Sequence, residues 1–197
     1  AQLPVRVEGG TAPDIAVFPQ PGLLKAMVET GKVIPASDAL SASVDANYSP
    51  DWKDYGTVDG TFYAAPLGAN VKSFVWYSPK TFADNGWDIP TTWDELLSLS
   101  DTIASTTDVQ PWCVGFESGD ATGWVGTDWM EDLMLRFQDA DTYDAWVNHD
   151  IAFNDPAVAE VLAEAGKILK NPEYVGDVPS ITTTSFQTGG AGIVDGT

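Results

Sequence analysis

Cysteine and histidine are almost absent from this chain of 197 residues, which contains one of each, Cys113 and His149. An internal disulfide needs two cysteines, and structural zinc sites and most catalytic triads need sets of cysteine or histidine side chains. The sequence therefore excludes a disulfide framework and a Cys-rich zinc site, and it leaves most histidine-based catalysis without material. We expect neither a metal site nor a cofactor.

Calcium is the one metal for which the sequence offers oxygen ligands close together, at Asp139, Asp141 and Asp144. A calcium loop of the common type also needs a central glycine and a closing glutamate. Neither follows these aspartates at the required spacing, so we interpret the cluster as the solvated start of a helix.

Positive charge is also scarce, because nine Lys and Arg residues stand against 29 Asp and Glu, for a net charge of −20. A nucleic acid or an anionic membrane binds through a basic face, so neither is expected as a partner. No run of 18 apolar residues occurs, which excludes a membrane-spanning helix from the sequence. The first residues lack the basic start and apolar run of a secretory signal, so we expect any signal segment to lie outside this chain.

What the sequence does contain is alternating strand and helix patterns, and these favour an α/β fold. The pattern predicts a buried strand, a strand before a glycine-rich loop, and two extended segments between them. These cover residues 13–18, 111–116, 62–66 and 73–77. A polar stretch at 35–60 reads as irregular surface with short helical turns, and residues 193–197 read as a strand-like run that leads into a turn.

The helix predictions rest on caps and apolar periodicity. One helix carries Leu23, Leu24, Met27 and Val28 on one face and ends at Gly31. Another begins with the capping box of Thr92 and Glu95. A third is expected to be capped by Asp128, after a loop at 117–126, and a fourth begins at Asp155 and Pro156.

Eight tryptophans and six tyrosines in an acidic chain are the first functional indication. Aromatic rings cover the apolar face of a sugar, and carboxylates bind its hydroxyl rim. Most tryptophans are structural, and Trp93 and Trp129 lie at such positions. Trp124 differs because it falls within the predicted glycine-rich loop, where binding and packing are about equally supported. Glu117 and Asp120 share that loop, but three residues apart they are a poor glycosidase acid and base pair.

Three runs of sequence are familiar in order and spacing: residues 60–66 (GTFYAAP), 73–82 (SFVWYSPKTF) and 85–96 (NGWDIPTTWDEL). They resemble the family 1 extracellular solute-binding proteins of sugar ABC importers, the group that includes maltose-binding protein. Residues 13–16 (PDIA) match an upstream strand of that family. Residues 186–192 (FQTGGAG) are similar to its "F-x-x-G-x-A" motif, and the loop 117–129 resembles the subgroup that imports α-glucosides. The resemblance covers residues 9–197.

The resemblance implies an α/β, periplasmic-binding-protein-like fold of class II, in which two lobes close on a sugar, present here only in part. Residues 1–68 would form part of the first lobe, 69–75 a hinge crossing, and 76–197 much of the second lobe. Full-length members are about twice as long, so both ends of this chain are expected to be truncated and the fragment to self-associate through exposed sheet edges.

The same resemblance implies where a ligand would be contacted. Phe18 and Gln20 follow the first strand, where the family contacts sugar from the first lobe. Asn70 stands at the hinge position where maltose-binding protein has a carboxylate. Glu117 and Trp124 fall in the loop that supplies contacts from the second lobe. No catalytic residue is expected.

The favoured function is a binding protein without chemistry of its own. It would capture an oligosaccharide, of the α-glucoside or maltose type, and present it to the membrane permease subunits of an ABC importer. It would act outside the cytoplasm, as a cell-surface lipoprotein or in the periplasm. The alternatives are a glycoside hydrolase or its carbohydrate-binding accessory domain, which product formation would reveal, and a general interaction domain, which would bind no sugar.

Overall fold

A computed structural model describes residues 2–195 of the chain; Ala1, Gly196 and Thr197, which the lobe assignments include, lie outside the described residues. The chain divides into two compact units, Ala1–Val71 and Lys72–Thr197. The structure places the boundary between the units after Val71. It stays a prediction that residues 1–68 form a first lobe, 69–75 a hinge and 76–197 a second lobe.

The first unit contains four helices and one small sheet among the described residues. The helices are α1 (Gln2–Glu8), α2 (Pro21–Glu29), α3 (Asp38–Asn47) and α4 (Pro50–Asp54), and the strands are β1 (Thr57–Val58) and β2 (Thr61–Phe62). The two strands pair antiparallel, with Thr57 opposite Phe62. Leu24 and Met27 are buried on α2, which confirms the helix predicted there.

Two expectations for the first unit are wrong. Residues 13–18 form no strand, and Ile15 and Val17 are exposed, because no strand of the described residues lies beside them to complete a ladder. The stretch 35–60 is more regular than its polarity indicates. The Ser37 hydroxyl accepts a hydrogen bond from the amide of Leu40 and so caps α3, a full helix rather than a turn.

The second unit is built from helices joined by extended segments. Its α-helices are α5 (Pro79–Asn85), α6 (Trp93–Thr106), α7 (Trp124–Phe137), α8 (Ala140–Val147), α9 (Pro156–Leu169), α10 (Pro172–Val175) and α11 (Ala191–Asp195). Two 3-10 helices cover Gly119–Ala121 and Val178–Thr182. The capping box of Thr92 and Glu95 is present at the start of α6, as predicted, and α9 begins at Pro156 behind the cap Asp155.

Two apolar clusters hold the second unit together. Helices α7 and α9 share the first, in which Met134, Val158 and Val161 are fully buried. The second joins Ile168 of α9 to residues of α10 and of the following 3-10 helix. Trp93 and Trp129 pack against both clusters, which confirms their predicted structural role.

The predicted strands of the second unit are also absent. Residues 73–77 and 111–116 belong to no sheet. In the first unit, the predicted segment 62–66 contains only the end of β2. Residues 193–195 of the predicted strand-like run lie in helix α11 and not in a strand, and the rest of that run lies outside the described residues. Strand formation needs a partner strand, and the only sheet in the part of the chain described here is the β1–β2 hairpin.

No helix among the described residues is both long and apolar enough to span a membrane.

Candidate functional site

The five predicted ligand-binding residues are divided between the two units. Phe18, Gln20 and Asn70 belong to the first unit, where Phe18 is half-buried and the other two are exposed. Gln20 precedes α2 as its N-cap, although its side chain makes no capping bond. Their role in binding stays a prediction. Glu117 and Trp124 belong to the second unit, and there the structure shows a defined arrangement.

The backbone of Glu117 is held against residues 184–186. Its amide donates to the carbonyl of Thr184 at 2.9 Å, and its carbonyl accepts from the amide of Phe186 at 3.1 Å. These bonds form an isolated parallel bridge between Glu117 and Ser185. The C-terminal segment of the unit therefore positions the start of the loop that carries Glu117.

Gly115 makes this close approach possible. A Cβ atom at position 115 would lie 2.6 Å from the carbonyl oxygen of Ser185 and 2.8 Å from that of Thr184. Both distances are shorter than any real carbon–oxygen contact of this kind, so only glycine fits against residues 184–185.

The carboxylate of Glu117 is used locally. Its Oε1 accepts a hydrogen bond from the amide of Gly119 at 2.7 Å, and the side chain is half-buried. Asp120 lies in the short 3-10 helix that follows and is exposed. A carboxylate that accepts one backbone bond keeps lone pairs for further donors, such as the hydroxyl groups of a ligand.

Trp124 does not lie in a loop, as the sequence predicted, but is the first residue of helix α7. Gly123 caps the helix with a φ angle of +106°, a conformation that residues other than glycine avoid. The predicted cap Asp128 lies inside the helix instead. The sequence does not predict this helix start, because glycine has no side chain that could make a capping hydrogen bond.

The ring of Trp124 faces an aromatic partner from the end of the unit. Its centroid lies 5.0 Å from that of Phe186, with 76° between the planes, an edge-to-face arrangement. Because the amide of Phe186 also bonds to the carbonyl of Glu117, one residue links the two predicted site residues. Glu117, Trp124 and Phe186 are together called the aromatic corner below.

A lysine also lies at the aromatic corner. The Nζ atom of Lys72 lies 4.1 Å from the ring centroid of Trp124 and 3.0 Å from Oδ2 of Asp128. Glu131, one turn further along α7, has its pKa raised by burial and by the nearby charge of Asp128, while Lys72 opposes that shift. The start of α7 therefore combines an aromatic ring, an ammonium group and carboxylates.

Sequence reasoning missed Phe186 and Lys72 as members of the site. Phe186 opens the motif at 186–192, which resembles a family motif but by itself indicates no contact with a ligand. Lys72 is one of only nine basic residues in the chain, and this scarcity is the signal that could have drawn attention to it.

Asp139, one of the three aspartates considered for calcium, lies at the start of a helix, as the sequence predicts. Asp139 caps helix α8, because its Oδ1 accepts a hydrogen bond from the amide of Thr142 at 2.8 Å. Within the described residues 2–195, no group of three or more acidic, histidine or cysteine side chains is arranged to hold a metal ion.

The sequence of the whole chain is similar to those of known proteins. The family profile described as bacterial extracellular solute-binding protein matches residues 1–196. The chain is 46% identical over 184 residues to the osmoprotective compounds-binding protein GgtB of Synechocystis, covering 92% of this chain and 44% of that protein. It is 40% identical over 200 residues to the alpha-glucosides-binding periplasmic protein AglE of Rhizobium meliloti, covering 98% and 43%.

A solved structure shows the same fold. The chain superimposes on a chitin oligosaccharide binding protein with a TM-score of 0.70 at 17% sequence identity, over 99% of this chain and 47% of that one. The fold is therefore the class II fold expected from the sequence, present in part. The chain spans less than half the length of the relatives that it matches. The matching family consists of binding proteins and not of enzymes.

Proposed function

Because this chain belongs to the family of bacterial extracellular solute-binding proteins, we propose that it serves in the capture of an oligosaccharide of the α-glucoside or maltose type for an ABC importer. The protein would act outside the cytoplasm, in the periplasm or as a lipoprotein at the cell surface. It would deliver its ligand to the membrane permease subunits. The name of AglE, which refers to alpha-glucosides, supports the choice of ligand class.

The observation that carries the proposal is the aromatic corner. Phe186 is 39% exposed and Trp124 is half-buried, so part of each ring is available to the apolar face of a pyranose, and the Glu117 carboxylate keeps lone pairs for its hydroxyl groups. The alternative, a glycoside hydrolase, has no comparable support, because Glu117 and Asp120 are only three residues apart and are therefore a poor pair to bracket a glycosidic bond.

The test is a calorimetric titration of the full-length natural protein with a panel of sugars. Maltose, maltotriose, trehalose and sucrose represent the α-glucosides, and cellobiose and xylobiose represent β-linked sugars. We expect binding of at least one α-glucoside and none of the β-linked controls. Binding of no sugar would reject the proposal in favour of a general interaction domain.

Trp124→Ala tests whether the aromatic corner is the site. Loss of ring stacking and buried area should cost about 2–4 kcal/mol of binding free energy, or about 30- to 1,000-fold in affinity. Trp124→Phe is the matched control and should retain part of the affinity, because it keeps a ring. Thermal unfolding without sugar is measured in parallel. A loss of stability of about 3–5 kcal/mol with unchanged affinity would instead identify Trp124 as a packing residue.

Glu117→Gln separates binding from hydrolysis. The variant loses the charge but keeps the shape, so we expect a loss of about 1–3 kcal/mol in sugar affinity. Chromatography of α-glucosides after incubation should show no cleavage with either protein. Cleavage by the wild type that disappears in the variant would establish the hydrolase alternative.

A further inference from the structure

The ammonium group of Lys72 is held at the aromatic corner by two contacts that the family assignment does not explain. Its Nζ atom lies over the ring of Trp124, 4.1 Å from the centroid, and 3.0 Å from Oδ2 of Asp128. Both partners are on the first two turns of α7, so the rigid helix fixes the nitrogen on two sides.

This ammonium group keeps hydrogen-bonding capacity. It has three N–H donors, and its one side-chain acceptor among the described residues is Asp128. The lysine side chain is 50% exposed, whereas that of Asp128 is 27% exposed. The ammonium group therefore lies between the Trp124 ring, Asp128 and solvent, next to the place where a ligand on Trp124 would lie.

We infer that Lys72 is a ligand-contacting residue of the aromatic corner, which donates a hydrogen bond to an oxygen of the bound solute, and that Asp128 is its positioning residue. The inference rests on the proposed function. It adds that the site selects solutes by an oxygen acceptor next to the face that stacks on Trp124. Amine-bearing solutes are disfavoured there, because an ammonium repels a second positive charge.

The position of the ammonium over the ring sets up two opposing effects. A solute that stacks on that face displaces the ammonium towards Asp128, which costs an exposed cation–π contact worth about twofold to fivefold in affinity. A hydrogen bond from a charged donor to the solute is worth about tenfold to a hundredfold. The gain exceeds the cost, so Lys72 should favour binding.

The first test compares Lys72→Met with the matched control Lys80→Met in the full-length natural protein. Lys80 is an exposed lysine of α5 whose ion pair is with Asp84, four residues further along the same helix. With an α-glucoside that binds the wild type, we expect the affinity to fall about twofold to fiftyfold in Lys72→Met and to stay unchanged in Lys80→Met. Both variants should melt at the wild-type temperature.

The second test asks whether Lys72 acts on the ligand or only neutralises Asp128. The double variant Lys72→Met/Asp128→Asn has no uncompensated carboxylate at position 128. If Lys72 contacts the ligand, the double variant stays as weak as Lys72→Met. Recovery of wild-type affinity would overturn the inference, and so would unchanged or increased affinity in Lys72→Met. If the wild type binds no sugar in the panel, the proposed function itself is rejected together with this inference.

Discussion

Two glycines shape the aromatic corner because they have no Cβ atom. Gly115 lets the segment that leads to Glu117 lie directly against the carbonyl groups of Thr184 and Ser185, and Gly123 takes the left-handed conformation from which α7 begins. Trp124 therefore points from a fixed helix start and not from a flexible loop. A ring on a rigid element loses little conformational freedom when it binds a ligand.

The approach at Gly115 makes a stability prediction. In Gly115→Ala the new methyl group collides with two backbone carbonyl oxygens, which cannot rotate away as a side chain would. We expect the free energy of unfolding to fall by about 1–3 kcal/mol, as in overpacked sites, measured by urea denaturation.

Gly190→Ala is the matched control, because a Cβ atom there meets nothing within 4 Å and the residue lies in the same C-terminal segment. Its stability should change by less than about 0.5 kcal/mol. Equal effects of the two substitutions would show that the segment 184–190 is not packed against Gly115.

At the same scale, the site could be predicted only in part from the sequence. Glu117 and Trp124 can be predicted because they share a short glycine-rich stretch, a local feature, and because that stretch resembles a loop through which the family contacts its ligand. Lys72 reaches α7 across 56 positions of sequence to Asp128, and Phe186 reaches Trp124 across a similar distance. Neither contact leaves a local pattern, since both depend on how the chain folds back.

At the scale of elements, the sequence predicts helices better than strands. The cap and apolar face of α6 and α9 are encoded within each helix, so both were predicted from local signals. The strands predicted at 13–18 and 111–116 are absent because a strand is stable only beside a partner. Residues 111–117 bond instead to single carbonyl groups of α10 and of the segment that follows it.

Tyr174 of α10 ties this short helix to α6 and sets a pH dependence. Its hydroxyl donates to the carboxylate of Asp101, and the ring is buried in the second apolar cluster. Burial first, and then the bond to Asp101 and the charge of that carboxylate, raise the pKa of Tyr174 from 10.0 to about 12.

The raised pKa of Tyr174 determines how the stability of the folded state changes with pH. The folded state favours the neutral phenol, so the stability contributed is complete below pH 10 and is lost as the pH rises towards 12. Tyr174→Phe should lose about 1–2 kcal/mol of stability at pH 8, because a buried hydrogen bond disappears. The difference from the wild type should shrink between pH 10 and 12 in urea denaturation. A difference that stays constant across this range would contradict the assigned role.

At the scale of the whole chain, the two compact units differ in how well they bury their apolar residues. The second unit has two apolar clusters around α7 and α9, with several fully buried side chains. In the first unit the irregular segment 13–18 leaves the side chains of Ile15 and Val17 in solvent. The class II fold was predicted from motifs in the sequence, whereas the exposure of this segment depends on which partner strands are present.

This exposure predicts self-association of the 197-residue chain by itself. Ile15 is 86% exposed and Val17 67% exposed, on an irregular segment that bends at residues 14 and 15 and has no strand beside it among the described residues. Such a segment presents free N–H and C=O groups and an apolar side, which is what a second chain needs for strand pairing. Sedimentation velocity from about 1 to 100 µM should show a concentration-dependent dimer or larger species.

Ile15→Lys/Val17→Lys should shift the chain towards monomer, because charges on an unpaired edge prevent pairing. Val5→Lys is the control, since Val5 is equally exposed but lies on helix α1, whose backbone groups are already bonded. A wild-type chain that sediments as a single monomer at 100 µM, or a Val5→Lys variant as monomeric as the double variant, would show that this segment is not the surface through which chains associate.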